Sequence, residues 1–143
     1  MAIVRFKRLS EDAILPAYMS SGAAGFDLWT VSGGVIGPGE WQNVPTGWAV
    51  EIQEGYEMQI RPRSGLAVRN GVTVLNAPGT IDSDYRGEVG VILMNHSSVP
   101  FTYERGDRVA QGVVVKAEQA TLVEARDLSA TERGGRGFGS TGS

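Results

Sequence analysis

Turn-forming residues interrupt this chain about every eight to twelve residues, a spacing that leaves room for short strands and little else. The 20 glycines are spread along the chain as turn markers, and the stretches between them alternate apolar with polar residues. Alternation of period two presses one face of a strand against a core and turns the other to water. Strands are expected at Ile3–Leu9, Phe26–Thr30, Gly34–Ile36, Trp41–Val44, Trp48–Ile52, Tyr56–Arg61, Val72–Leu75, Val89–Asn95, Phe101–Tyr103, Arg108–Val115 and Thr121–Glu124. A single short helix is expected over Ser64–Asn70, with Ser64 placed as its N-cap. The fold class is all-β: a sandwich, jelly roll or barrel. Strand order is not readable from periodicity.

A chain of 143 residues has room for one domain with a real core and not comfortably for two. The absence of cysteine removes disulfides, thiolate nucleophiles and Cys-ligated zinc together. One histidine, His96, rules out a multi-histidine metal site, and its Asn-His-Ser-Ser setting reads as a surface turn. A net charge of −3 argues against general nucleic-acid binding. Apolar runs fall well short of the roughly 18 residues that cross a bilayer. The N-terminus lacks the pattern of an export signal. The expectation is a cytoplasmic protein with no membrane or nucleic-acid partner. Its positive charge is nearly all arginine, which grips phosphate in bidentate fashion.

Pro78-Gly79-Thr80-Ile81-Asp82-Ser83-Asp84-Tyr85-Arg86-Gly87-Glu88 breaks the alternation. Asp is disfavoured in strands, so two carboxylates between Ile81 and Val89 need another reason. One reading is a solvated turn closed by an Asx-type hydrogen bond. The other is a hairpin shaped around a ligand, with a carboxylate that orients a water for attack and backbone groups that face a flat polar ring. The segment from Ser129 to Ser143 also stands apart, with five glycines, two arginines and one aromatic residue. Composition reads it as a flexible tail. The alternative is an arm that closes on a ligand, arginine on phosphate and Phe138 stacked on a ring.

Five glycine-rich islands follow in order: Ala24–Leu28, Pro62–Ala67, Asn76–Glu88, Gly106–Gln111 and Arg133–Gly142. In sequence and rough spacing they resemble the five motifs of the trimeric dUTPases (dUTP diphosphatases). The resemblance covers the chain from about Ala24 to its end. It implies a jelly-roll, or distorted β-barrel, with one short helix and a flexible C-terminal arm, assembled as a homotrimer with shared active sites. Residues 1–128 would form the barrel and 129–143 an arm closing a neighbouring site. The implied reaction is Mg²⁺-assisted attack of water on the α-phosphorus of dUTP, giving dUMP and pyrophosphate. That activity limits uracil incorporation into DNA and supplies dUMP for thymidylate synthesis.

By position in these motifs, Asp82 matches the water-orienting aspartate, and Asp84 is expected to tie down the hairpin instead. Asn76, Gly79, Thr80, Ile81 and Asp82 match the uracil-reading edge, and Tyr85 the residue that packs on deoxyribose and excludes a 2′-hydroxyl. A site built to hydrogen-bond one base edge rejects another by leaving its own polar groups unpaired. Arg63, Ser64, Gly65 and Gln111 match phosphate-binding positions. Arg133, Phe138, Gly139, Ser140 and Thr141 match the closing arm. Mg²⁺ is implied as the cofactor, held by phosphates and water, with Asp27 reaching it through water only.

Two positions depart from the pattern. Arg136 replaces a glycine of the arm, a costly change if that position needs positive φ. Gly112 stands where an aliphatic residue commonly follows the glutamine, and loosened packing is expected there. Two other readings compete. A dCTP deaminase shares some of the hairpin, but no acid after it matches the deaminating glutamate. A catalytically idle regulator of the same fold should have lost Asp82 or the arm, and both are present.

Overall fold

The computed structural model describes residues 1–142. In chain order the elements are β1 (Val4–Arg8), β2 (Phe26–Trp29), β3 (Gly34–Ile36), β4 (Trp41–Ile52), β5 (Tyr56–Arg61), α1 (Ser64–Asn70), β6 (Val72–Val74), β7 (Gly79–Ile81), β8 (Glu88–Asn95), β9 (Phe101–Tyr103) and β10 (Arg108–Lys116). Two four-stranded sheets form, in the orders β1-β4-β8-β6 and β2-β10-β5-β7, with β3 and β9 as a small third sheet. Their shared core makes the chain a jelly-roll-type distorted barrel with one short helix, the all-β class expected.

The alternation explains how the layers meet. Along β8 every second residue turns inward, so that Val89, Val91 and Leu93 are at most 1% exposed. Leu28, Met58, Ile60 and Val109 come from the other sheet to meet them. Each such side chain contributes about 1.5–3 kcal/mol by leaving water. Buried Asn95 is satisfied: its amide donates to the Ile36 and Val99 carbonyls, and its oxygen accepts from the Ser97 N–H and hydroxyl.

Four local expectations change. Trp41–Val44 and Trp48–Ile52 are one strand, because Pro45-Thr46-Gly47 shifts the register with β8 instead of ending the pairing. Gly47 sits at φ +75° in that irregularity, and its N–H donates to Glu88 Oε1 at 2.9 Å. Gly79–Ile81, read as part of a turn, is a paired strand. Thr121–Glu124 is not a strand: it has no pairing partner, and Leu122 and Val123 stand 92% and 78% exposed. Ser64 opens α1 instead of capping it; Arg63 holds the cap position with extended backbone and no side-chain cap bond.

Beyond β10, residues 117–142 form neither strand nor helix and are almost wholly exposed. No helix among the described residues is long and apolar enough to cross a membrane.

Candidate active site

The strand β7 is short because turns bracket it: Ala77 N–H donates to the Val74 carbonyl before it, and Tyr85 N–H to the Asp82 carbonyl after it. The Ala77–Pro78 peptide is cis. β7 pairs with β5 on one side only, in the register Ile60↔Gly79, Gln59↔Thr80 and Met58↔Ile81. As the last strand of its sheet it keeps one backbone edge free. Gly79 lies so close to the layer beneath that an added Cβ would stand 3.2 Å from Asn76 Nδ2 and 3.3 Å from Ile60 Cβ.

A cleft of about 200 Å³ opens beside β7, lined by Ile60, Asn76, Gly79, Thr80, Ile81, Asp82, Tyr85, Glu88, Gly90 and Ile92. That volume suits one small planar group, being below the roughly 300 Å³ at which drug-sized pockets begin. Every residue expected to read a base edge, together with Asp82 and Tyr85, lies on its wall. Glu88, Gly90 and Ile92 were missed, although alternation along β8 puts these three on one face.

The hairpin is held by its neighbours. Arg86 Nη1 donates to the Ser83 and Tyr85 carbonyls at 2.6 and 2.9 Å, while its Nε lies 3.9 Å from Glu51. Asp84, expected to tie down the turn, makes no hydrogen bond among the described residues. Its short side chain points to solvent, and the longer Arg86 reaches the carbonyls instead. Tyr85 donates its hydroxyl to the Glu88 carbonyl at 2.8 Å.

A second cleft, of about 550 Å³, is lined by Gln59, Arg61, Pro62, Arg63, Ser64, Ala67, Ala77, Pro78 and Gln111. Sheet register builds it, since Gln111 of β10 stands opposite both Asp27 of β2 and Arg61 of β5. Asp27, 15% exposed at its side chain, faces two guanidiniums: Arg108 Nη1 at 3.2 Å and Arg63 Nε at 3.6 Å. Arg63 also donates to the Arg108 carbonyl, and Gln111 to the Pro62 carbonyl at 3.0 Å. Gly25 gives the Gln111 amide its space, because a Cβ there would lie 2.6 Å from Oε1. Gly65 is not on the wall; Arg69, one turn along, folds over it with Nη2 2.8 Å from where a Cβ would be.

Arg133, Phe138, Gly139, Ser140 and Thr141 line neither cleft, and Phe138 is fully exposed at φ +52°. Ser143, the last residue of the expected arm, lies outside the described residues. Arg136 is not among the positive-φ positions, so its side chain carries no left-handed penalty. It donates to the Arg133 and Glu132 carbonyls. Gly112 is not a packing defect either. The Phe26 ring fills the space, its Cζ 2.6 Å from where a Cβ would sit.

Three comparisons bear on this arrangement. The dUTPase family model matches residues 11–142. The deoxyuridine 5′-triphosphate nucleotidohydrolase of Nautilia profundicola is 53% identical over 139 residues, spanning 97% of this chain and 98% of its own. That of Caulobacter vibrioides (strain NA1000 / CB15N) is 58% identical over 145 residues, covering 97% and 94%. Among solved structures, the dUTPase of Staphylococcus bacteriophage 80alpha with dUPNHPP superposes at a TM-score of 0.90, with 27% identity over 99% of both chains. The chain therefore belongs to the dUTPase family.

Proposed function

We propose that the chain is a dUTP diphosphatase, converting dUTP to dUMP and pyrophosphate. The observation that carries this is the free edge of β7 with Asp82 and Tyr85 at its end, all on one cleft of single-ring size. The backbone groups on the side of β7 away from β5 offer a fixed donor–acceptor pattern to one edge of uracil, with the Asn76 amide beside them. Cytosine, which presents the opposite pattern, would leave those groups unpaired. Tyr85 forms the wall against which deoxyribose packs.

Asp82 then orients a water for in-line attack on the α-phosphorus and takes its proton, while pyrophosphate leaves. Phosphoryl transfer depends on positioning and charge stabilisation, which Arg63, Ser64 and Gln111 supply from the second cleft and Gly65 through its backbone N–H at the start of α1, beside that wall. Asp27 keeps acceptor capacity beyond its two arginines, since a carboxylate offers about four lone-pair sites. It therefore fits a water-mediated contact with Mg²⁺ held by the phosphates. When bound, the ion draws charge from the phosphate oxygens.

The barrel, residues 1–128, associates as a homotrimer. The arm, residues 129–143, crosses to a neighbour's site and brings Arg133 to phosphate, Phe138 over uracil, and Gly139, Ser140 and Thr141 around the γ-phosphate. Working on the deoxynucleotide pool, the enzyme is cytoplasmic, keeps uracil out of DNA and feeds thymidylate synthesis.

The test is pyrophosphate release from dUTP, dCTP, dTTP and UTP in parallel, with Mg²⁺ and then with a chelator. Mg²⁺-dependent release from dUTP alone is the expected result. Binding of dUTP without release would make the chain an idle regulator, and ammonia from dCTP would make it a deaminase.

A further inference from the structure

Gly87 follows the hairpin turn, and its lack of a side chain is not explained by backbone conformation. Unlike Gly39, Gly47 and Gly71, it does not have positive φ, so any L-residue could adopt its backbone. The constraint is space. A Cβ on Gly87 would lie 2.6 Å from Tyr85 Cζ and closer still to the hydroxyl oxygen. The Tyr85 ring thus folds back over Gly87 to donate its hydroxyl to the Glu88 carbonyl at 2.8 Å.

The backbone on either side cannot yield easily. Before Gly87, Arg86 grips the Ser83 and Tyr85 carbonyls. After it, the Glu88 carboxylate accepts from the Gly47 N–H across the sheet. Tyr85 is the movable part: it is 43% exposed, with open solvent beside it. A methyl group on residue 87 therefore displaces the ring, pulls its hydroxyl off the Glu88 carbonyl and moves one wall of the 200 Å³ cleft.

We propose that Gly87 is a specificity-determining positioning residue: its empty side-chain space lets Tyr85 lock onto Glu88, and this sets the wall that distinguishes deoxyribose from ribose. The inference rests on the reading of Tyr85 as the residue that excludes a 2′-hydroxyl. Base selection, set by the β7 edge, is separate from it.

The experiment compares kcat/KM for dUTP, UTP and dCTP in the wild type, Gly87→Ala, Tyr85→Phe and the double variant. Gly87→Ala should lower the preference for dUTP over UTP by about tenfold or more, with the preference over dCTP kept. General damage would instead lower every substrate together and leave the ratios alone, which would overturn the proposal. Tyr85→Phe removes the atom nearest the added methyl, so Gly87→Ala should do less in that background; full additivity would also overturn it. Should Gly87→Ala fail to fold, Tyr85→Phe alone decides: losing the Glu88 anchor should weaken sugar discrimination, and unchanged discrimination overturns the inference. Tyr85→Ala separates the two levels. If it keeps full discrimination against UTP, the reading of Tyr85 fails. If it loses discrimination while Gly87→Ala keeps it, only the role of Gly87 fails.

Discussion

Gly112 shows how single residues in this chain are explained by their neighbours and not by their own type. Taken alone it is a missing aliphatic side chain, but the Phe26 ring occupies the place, and Phe26 in turn meets Phe6 and Tyr18 edge-on at 6.1 and 5.4 Å between centroids. Asp82 is the opposite case. It opens the turn that Tyr85 N–H closes on its carbonyl, a place that suits Asp, while its side chain makes no hydrogen bond among the described residues and stays free for the proposed chemistry. Asp82→Asn keeps the size and the hydrogen-bonding oxygen but cannot take a proton. It should keep dUTP affinity, read by calorimetry, and lose about 10²–10⁴-fold in pyrophosphate release, the usual worth of a positioned base. Near-normal turnover would show that another group does this work. Asp82 stood out because turn residues and carboxylates violate strand alternation, whereas Tyr85 and Asn76 were picked out by their positions in the resembled motifs; the structure puts all three on one cleft. The Arg86 grip on the hairpin and the space at Gly87 were not legible, since both depend on where a side chain folds back.

At the level of elements, the alternation rule located nearly every strand and erred where pairing decides. β7 was missed because three residues between turns carry almost no periodic signal, yet β5 offers them a partner edge. Thr121–Glu124 has the right residues and no partner, so it stays unpaired. β4 was split in two because Pro-Thr-Gly reads as a turn, whereas the structure absorbs it as a register shift. Gly47 is what makes that possible. An added Cβ there would meet Val31 Cγ1 at 2.8 Å and Ala13 Cβ at 2.9 Å, on top of the left-handed backbone. Gly39 has nearly the same φ, +74°, with nothing within 4 Å of an added Cβ. The pair therefore separates backbone strain from crowding. Gly39→Ala should cost about 1–2 kcal/mol from conformation, and Gly47→Ala about 2–5 kcal/mol once overpacking adds to it. Urea unfolding at one protein concentration checks this, and equal losses would mean that the loops around Ala13 and Val31 yield freely.

For the molecule as a whole, the single chain brings together some of the proposed site residues and leaves others apart. The cleft beside β7 and the cleft at Arg63 and Gln111 are formed, but the arm residues line neither, and the segment leading to them leaves Leu122, Val123 and Leu128 at 92%, 78% and 90% exposed. Three large apolar side chains within seven residues, all this exposed, suit an interface, and a cyclic trimer would offer them a second copy of the chain to pack against. If the arm closes a neighbour's site in a cyclic trimer, two individually dead chains can complement each other. Asp82→Asn supplies an arm and lacks a base; a chain truncated before Arg133 supplies a base and lacks an arm. Going round a ring of three that contains both kinds, a truncated subunit is served by an Asp82→Asn arm at one position only, whether the ratio is two to one or one to two. Mixed trimers isolated through two different tags should therefore recover about one third of wild-type turnover, independent of mixing ratio. An arm that folds back on its own subunit gives a different answer. Every site would then lack either its base or its arm, and the mixed trimers would stay as inactive as the two parents.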